Sequence, residues 1–198
     1  MLEVTVENVD LAPLAGKLAA LEPRIREGAA RGVSNLLRRH FRAKDQTANA
    51  KGFKRSHFWA AAAGSVSTDM DAEAANVHVG KEGVRLRWLG GVVKPVKGKM
   101  LAIPNDGSVA GVWPSEHKGK SGASKTFMAF PKGRNSGFIA TKDKGSDKGF
   151  RVLWWLVPQT THKPDPTVLP SDEEMREAAM KAARSVLRAA KTAGGGAV

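Results

Sequence analysis

Apolar residues recur at intervals of three or four along residues 11–40, and this spacing predicts a long amphipathic helix near the N-terminus. Alternation over residues 2–6 predicts a short strand before it, with Asp10 as the helix cap. Pro23 lacks a backbone N–H and clashes with the preceding turn, so we expect a break or kink there. The longer piece of the helix should then run from about residue 24 to 44.

The middle of the chain predicts short helical and strand elements. Residues 57–64 (HFWAAAAG) indicate a small buried helix closed by glycine. Two alternating stretches, 75–80 and 84–89, predict a β-hairpin around the Lys-Glu-Gly sequence between them. Residues 100–103 predict a further short strand, which Pro104 should end.

Residues 105–149 are rich in glycine, serine and lysine, which predicts a long loop or hairpin excursion. Apolar pieces at residues 127–130 and 138–140 interrupt it. The run that follows, residues 150–157 (FRVLWWLV), is the most apolar strand candidate and should lie centrally in a sheet.

A C-terminal helix is indicated by Ser171 and Glu174, which have the spacing of a capping box. Its apolar stripe is narrow and rich in small residues, so we expect it to pack closely against the sheet or another subunit. The elements together predict an α+β fold: a small antiparallel sheet packed on one face by the N-terminal and C-terminal helices. We expect one domain, with its core in residues 1–104 and 150–191, the excursion between them, and a flexible tail over 192–198.

The composition is that of a folded globular chain, with 41% hydrophobic and 26% charged residues among 198. The sequence has no cysteine, which excludes disulfides, thiolate nucleophiles and cysteine-based zinc sites. It has neither a run of about 18 apolar residues nor the pattern of a signal peptide. We therefore expect a protein made and kept in a cytoplasm, without contact to a membrane.

The net charge of +13 is concentrated in two segments: residues 24–59 carry +8 and residues 116–151 carry +6. Such a charge favours acidic partners, either nucleic acid or the acidic face of another protein, and predicts salt-sensitive association. The same cations also fit an ordinary solvated surface. The candidate partner contacts are Arg31, Arg38, Arg39, Arg42, Lys118, Lys120, Lys125, Lys132 and Arg134.

The sequence contains no complete motif of a catalytic or metal-binding site. Residues 119–126 (GKSGASKT) nearly match a phosphate-binding loop, but Ser124 replaces its second glycine and the flanks predict no strand and helix. The five histidines are scattered and lack metal-site spacing, and no G-x-S-x-G sequence is present. We therefore expect no catalytic residue, no cofactor and no metal ion, and hence a protein that is not an enzyme.

Nucleic-acid binding is the main alternative. Residues 38–42 and 51–59 interleave cations with aromatic residues, a combination that neutralises phosphates and stacks on bases. The aromatic residues are also those that a helix–sheet core needs, and the chain contains no known DNA- or RNA-binding motif. Both interpretations stay open at the level of sequence.

Residues 88–95 (WLGGVVKP) and 99–104 (KMLAIP) resemble a segment of phage virion-morphogenesis and tail-completion proteins, the neck proteins of Mu-like phages included. In that family a strand ends in a G-G-x-I-x-P turn and returns through K-x-L-x-I-P. The surrounding order is also similar: a long N-terminal helix, a hairpin, a late strand and a terminal helix. The residues that would shape the turn are Gly90, Gly91, Pro95 and Pro104.

The resemblance implies a structural virion protein, made in the bacterial host cytoplasm and located at the neck or in tail completion. Its partners would be copies of itself, in a ring of about six or twelve subunits, together with neck, portal-side or tail-tube proteins. Packaged DNA is a further candidate contact. Tail completion, head–tail adaptor and tail terminator remain alternative roles.

Overall fold

The computed structural model describes residues 12–47, 53, 56–71, 73–96, 98–105, 107–117, 126–142 and 149–194. The predicted strand at residues 2–6 and its neighbour Asp10 lie outside them. The helices are α1 (Ala12–Gln46), α2 (Phe58–Gly64), α3 (Val84–Leu89) and α4 (Asp172–Gly194). The strands are β1 (Val66–Met70), β2 (Ala75–Val79), β3 (Gly91–Val93), β4 (Leu101–Pro104), β5 (Thr126–Ala129), β6 (Gly137–Lys142), β7 (Phe150–Val157) and β8 (Thr160–His162).

These elements confirm the predicted α+β fold, and they form two compact units. The helical unit consists of the described parts of Met1–Arg42, Ala61–Lys81 and Leu169–Val198. The sheet unit consists of the described parts of Ala43–Ala60 and Glu82–Val168. The expectation of one domain stays a prediction.

Helix α1 is continuous through Pro23, so no break occurs at this residue, and a kink there stays a prediction. Proline removes one backbone donor, but the turns on both sides keep their own hydrogen bonds. The helix is further held by burial of its apolar stripe, since Leu37 is 5% exposed and Phe41 is fully buried. Burial of this stripe stabilises the C-terminal half of α1.

The capping box of α4 is confirmed. The backbone N–H of Ser171 donates to Glu174 Oε2 at 2.8 Å, and the N–H of Glu174 donates to Ser171 Oγ at 3.2 Å. The bond from the Ser171 backbone N–H, and then the one that the Ser171 hydroxyl donates to the same carboxylate oxygen at 2.9 Å, hold the pKa of Glu174 below its ordinary value. The helix runs to Gly194, so residues 192–194 are helical where the sequence predicted a flexible tail, and residues 195–198 lie outside the described part.

The small-residue stripe of α4 packs against α1, whereas the sequence suggested the sheet or another subunit as its partner. Gly28 lies against Val186, and Gly32 lies against Ala178 and Ala182, so the two helices run antiparallel. A methyl group at Gly32 would lie only 2.5 Å from the carbonyl oxygen of Ala178. The approach of the helices thus depends on glycine in α1.

The predicted hairpin of residues 75–80 with 84–89 is wrong. Strand β2 pairs instead with the preceding β1, in antiparallel register from Val66 opposite Val79 to Met70 opposite Ala75. Residues 84–89 form helix α3, whose entry lies at Gly83 with a left-handed φ of 86°. Six residues are too few for alternation to distinguish a strand from a helix.

The turn between β1 and β2 is organised by Asp71. Its Oδ1 accepts hydrogen bonds from the backbone N–H groups of Glu73 at 2.8 Å and Ala74 at 2.5 Å. The bond from Ala74 is the main reason that the pKa of Asp71 is lowered. A side-chain turn of this kind closes the hairpin without glycine.

The sheet unit contains a four-stranded antiparallel sheet in the order β4-β7-β6-β5. Strand β7 has the predicted bounds and an interior position, and β4 ends at Pro104 as predicted. The predicted excursion contains the hairpin β5-β6, which supplies two of the four strands and buries Ile139 and Ala140. The core is therefore not confined to residues 1–104 and 150–191.

A bulge in β7 explains why two consecutive side chains of this strand are buried. Ile139 of β6 lies opposite Trp154, whereas Ala140 lies opposite Val152, which leaves Leu153 as the extra residue. Leu153 and Trp154 are each 1% exposed. The core cluster consists of Val109, Ile139, Leu153, Trp154 and Leu156, with Met100 and Ala102 packed against it.

Candidate functional site

In the segment on which the resemblance rests, the turn at Gly90 follows a helix and not a strand, because α3 ends at Leu89, Gly90 caps it and β3 begins at Gly91. Gly90 has a φ of 71°, and a Cβ atom there would lie 2.7 Å from the carbonyl oxygen of His162 and 2.8 Å from Pro164. The turn therefore needs glycine for both its conformation and its close packing.

The remaining turn residues connect two strands of different sheets. Gly91 opens β3, which pairs with β8 through Gly91 opposite His162. Pro95 follows β3 and is half-buried, and Pro104 is the last residue of β4, opposite Trp154 of β7. The four predicted turn residues thus lie next to or at the ends of β3 and β4, where they shape the backbone.

Four apolar side chains of this same segment are exposed to solvent. Trp88 is 42% exposed, Leu89 50%, Val92 53% and Val96 98%. Single exposed apolar residues are common on soluble proteins, but several within one short segment are typical of a surface that another protein covers. We call these four residues the apolar segment.

A second apolar surface lies on the sheet, on the side opposite to its core. Phe138 and Phe150 stack with their ring centroids 5.5 Å apart, Phe127 meets both edge-on, and Trp155 meets Phe138 edge-on. Trp155 remains 45% exposed, although its Nε1 donates to Asn105 Oδ1 at 3.0 Å. We call these four rings the aromatic face.

A basic groove lies between α1 and α4 in the helical unit. Its cations are Arg38, Arg39 and Arg42 of α1 and Lys181 of α4, and the described residues lining it include no carboxylate. Arg39, Arg42 and Lys181 are exposed. The groove is an open depression of about 580 Å³, and its remaining described lining is Gly32, Asn35, Ala178, Ala182 and Ser185.

The cations predicted to contact a partner differ in their location and in whether they already have a partner within the chain. Arg31 pairs with Glu27 at 2.5 Å, and Arg38 donates to the carbonyl oxygen of Val66 at 2.7 Å, so both make contacts within the helical unit. Arg39 and Arg42 line the basic groove. In the sheet unit, Lys132 and Arg134 are exposed between β5 and β6. Lys118, Lys120 and Lys125 lie outside the described residues.

The sequence did not identify Lys181, Asn35 or Ser185 as site residues. Their proximity to the predicted cations depends on the pairing of two helices that are far apart in the chain. A signal did exist: glycines at positions 28 and 32, and alanines at positions 178 and 182, have the four-residue spacing that lets two helices approach closely.

The aromatic residues suggested for base stacking have partners within the protein. Phe41 is fully buried, so its ring belongs to the core. Phe58 packs edge-on against Trp59, with the guanidinium of Arg87 4.4 Å above the Phe58 ring and Lys44 5.5 Å from the Trp59 ring. These contacts are cation–π interactions that stabilise the sheet unit.

The carboxylates with lowered pKa values also have structural explanations. The pKa of Asp165 is lowered first by the hydroxyl of Thr167 and then by the backbone N–H of the same residue. The two other lowered values, at Asp71 and Glu174, arise from the turn and the cap described above. Each shift is thus caused by local hydrogen bonds at an exposed position.

Within the described part of the chain, no three histidine or carboxylate side chains come together as metal ligands would. Residues 119–125 of the loop-like sequence lie outside that part. None of the helices that are described combines the length and apolar character needed to cross a bilayer. No protein-family model, curated protein or solved structure matches the chain.

Proposed function

We propose that this chain is a structural subunit of a tailed-phage virion, acting at the neck or in tail completion. The observation that carries the proposal is the coincidence of two features in residues 88–96. The sequence there resembles virion-morphogenesis proteins, and the side chains of the apolar segment are exposed. Because apolar area removed from water contributes roughly 25 cal/mol per Å², such side chains favour burial against a neighbouring subunit.

Ring assembly requires two different surfaces on each subunit, because a head-to-tail contact joins one patch of a subunit to another patch of the next. The sheet unit offers two candidates, the apolar segment and the aromatic face. Both consist of large apolar side chains, which are enriched where protein surfaces meet. The chain thus carries surfaces suited to repeated contact.

The exposed cations between β5 and β6 add a polar component to the proposed assembly. Lys132 and Arg134 lie in a turn that follows the edge strand β5. Charges at the rim of an interface contribute mainly to the association rate and to the choice of partner. They would accordingly direct the subunit towards an acidic neighbour.

The proposal predicts that polar substitution of the apolar segment impairs virion assembly without unfolding the protein. A phage lacking this gene would be complemented with the double variant Trp88→Ser, Val92→Ser. We expect at least about a tenfold lower titre of infectious particles, since interface residues with apolar anchors carry most of the contact energy. The measurement combines plaque counts with the amount of the subunit in purified particles.

Trp113→Ser is the matched control, because Trp113 is 70% exposed and lies outside the apolar segment. Circular dichroism should show unchanged secondary structure in both variants. Wild-type titre with the double variant, or an equal loss with the control, would contradict the role of the apolar segment in assembly.

A further inference from the structure

The basic groove between α1 and α4 is built by the close packing of the two helices. Gly32 permits this approach, since a Cβ atom there would meet Ala178 and the Cβ of Ala182 at under 3 Å. The antiparallel pairing brings Lys181 of α4 to the same depression as the arginines of α1. Cations from two helices that are remote in sequence therefore line one groove.

One wall of the groove is fixed by a hydrogen bond. Arg38 Nη2 donates to the carbonyl oxygen of Val66 at 2.7 Å, which holds this half-buried guanidinium in place. The more exposed Arg39 and Arg42 project from the same helix. Three of the four groove cations are thus guanidinium groups, whose planar fork matches the oxygens of a phosphate.

The charge of the groove indicates its ligand. Four cations without an opposing carboxylate among the described lining residues produce a positive field that attracts a polyanion. Asn35 and Ser185, which are neutral, can donate further hydrogen bonds to phosphate oxygens. No aromatic side chain occurs among those described lining residues, so the groove lacks a platform for unstacked bases.

We infer that the basic groove binds the sugar–phosphate backbone of double-stranded DNA, without preference for sequence. Attraction of a polyanion follows from the groove itself, and the choice of DNA rests on the proposed function, because a subunit at the neck lies on the route of the packaged genome. Backbone contacts position a protein on a duplex without reading bases.

The test measures binding of the purified full chain to a fluorescent DNA duplex of random sequence by anisotropy over a range of salt concentrations. The groove variant is Arg39→Gln, Arg42→Gln, Lys181→Gln. Because the slope of log affinity against log salt is about −0.9 for each phosphate contact, the loss of three contacts should make this slope shallower by about 2.7. The affinity should fall at least about tenfold at moderate salt.

The matched control removes three exposed cations of the sheet unit by Arg85→Gln, Lys99→Gln, Lys163→Gln, so its net charge equals that of the groove variant. We expect the control to retain most of the affinity and a steeper salt slope than the groove variant. Equal losses in the two variants would overturn the inference, because net charge alone would then explain binding. Unchanged binding by the groove variant would also overturn it.

An acidic protein partner is the competing outcome. A fluorescent polyglutamate peptide of the same charge as the duplex serves as the probe for it. Tighter binding of the peptide than of DNA, lost in the groove variant, would replace the inference by a protein contact. These results leave the proposed function separately testable, since assembly of virions is measured in infected cells and depends on the apolar segment.

Discussion

Gly90 is the residue of the segment 88–104 for which the structural need for glycine is clearest. Its φ of 71° is unfavourable for residues with a Cβ atom, and His162 and Pro164 fill the space that a side chain would need. The backbone N–H of Asp165 also donates to the carbonyl oxygens of Arg87 and Trp88, which closes the end of α3 against the same chain segment. A glycine is therefore required here for stability.

Gly90→Ala should lower the free energy of unfolding by about 3 kcal/mol, of which the left-handed φ accounts for about 1 and the clash for the remainder. Gly111→Ala is the control, because Gly111 has a φ of 80° but open space around its Cβ position. This control should cost only about 1 kcal/mol. Chemical denaturation of both variants gives the comparison, and equal losses would show that close packing at Gly90 is unimportant.

At the scale of elements, the pairing of α1 with α4 creates the basic groove. The contact is made by small residues on both helices, with Gly28 and Gly32 facing Val186, Ala182 and Ala178. Overpacking such a contact forces the helices apart, since the clashing atoms at Gly32 include backbone. The geometry of the groove thus depends on two glycine positions.

Gly32→Ala should lower the free energy of unfolding by about 2 kcal/mol, through overpacking of the helix pair. The same substitution at Gly16, an exposed helical position with no atom near its Cβ site, should instead raise it by about 1 kcal/mol through improved helix propensity. Thermal or urea denaturation distinguishes the two. A stabilised Gly32→Ala variant would contradict the close approach of α1 and α4.

Elements with strong local signals could be predicted from the sequence. The capping box predicts the start of α4, and the apolar run of residues 150–157 predicts β7. The short helix α2 is predicted from residues 57–64 (HFWAAAAG). Residues 84–89 were misassigned because Val84, Leu86 and Trp88 alternate like a strand over a length that also suits one and a half helical turns. The pairing of β2 with β1 was missed for a related reason, since VSTDM has little apolar alternation.

The candidate surfaces were predictable only in part. Arg39 and Arg42 stood out as cations on one helix, but Lys181 joins them through tertiary packing that local patterns do not encode. Likewise, Phe127, Phe138 and Phe150 lie on three strands and form one face only after the sheet registers are set. Periodicity gives the face of an element, whereas register between elements depends on the whole fold.

At the scale of the whole molecule, the net charge of +13 and the exposed apolar side chains suit two different kinds of partner. The sheet unit carries the apolar segment and the aromatic face, which suit contacts with neighbouring subunits. The helical unit carries the basic groove, which suits a polyanion. Apolar contacts between subunits tolerate salt, whereas binding of a polyanion weakens with it. A rise in ionic strength should therefore release the polyanion before it weakens the contacts between subunits.

We propose above that this chain is a structural subunit that joins heads to tails or completes tails. Electron microscopy of lysates from cells infected with a phage that lacks the gene tests it most directly, with the wild-type gene restored on a plasmid as control. We predict DNA-filled heads separate from tails, or tails with an unfinished end, and intact virions once the gene is restored. Normal, infectious virions in the absence of the protein would contradict the claim.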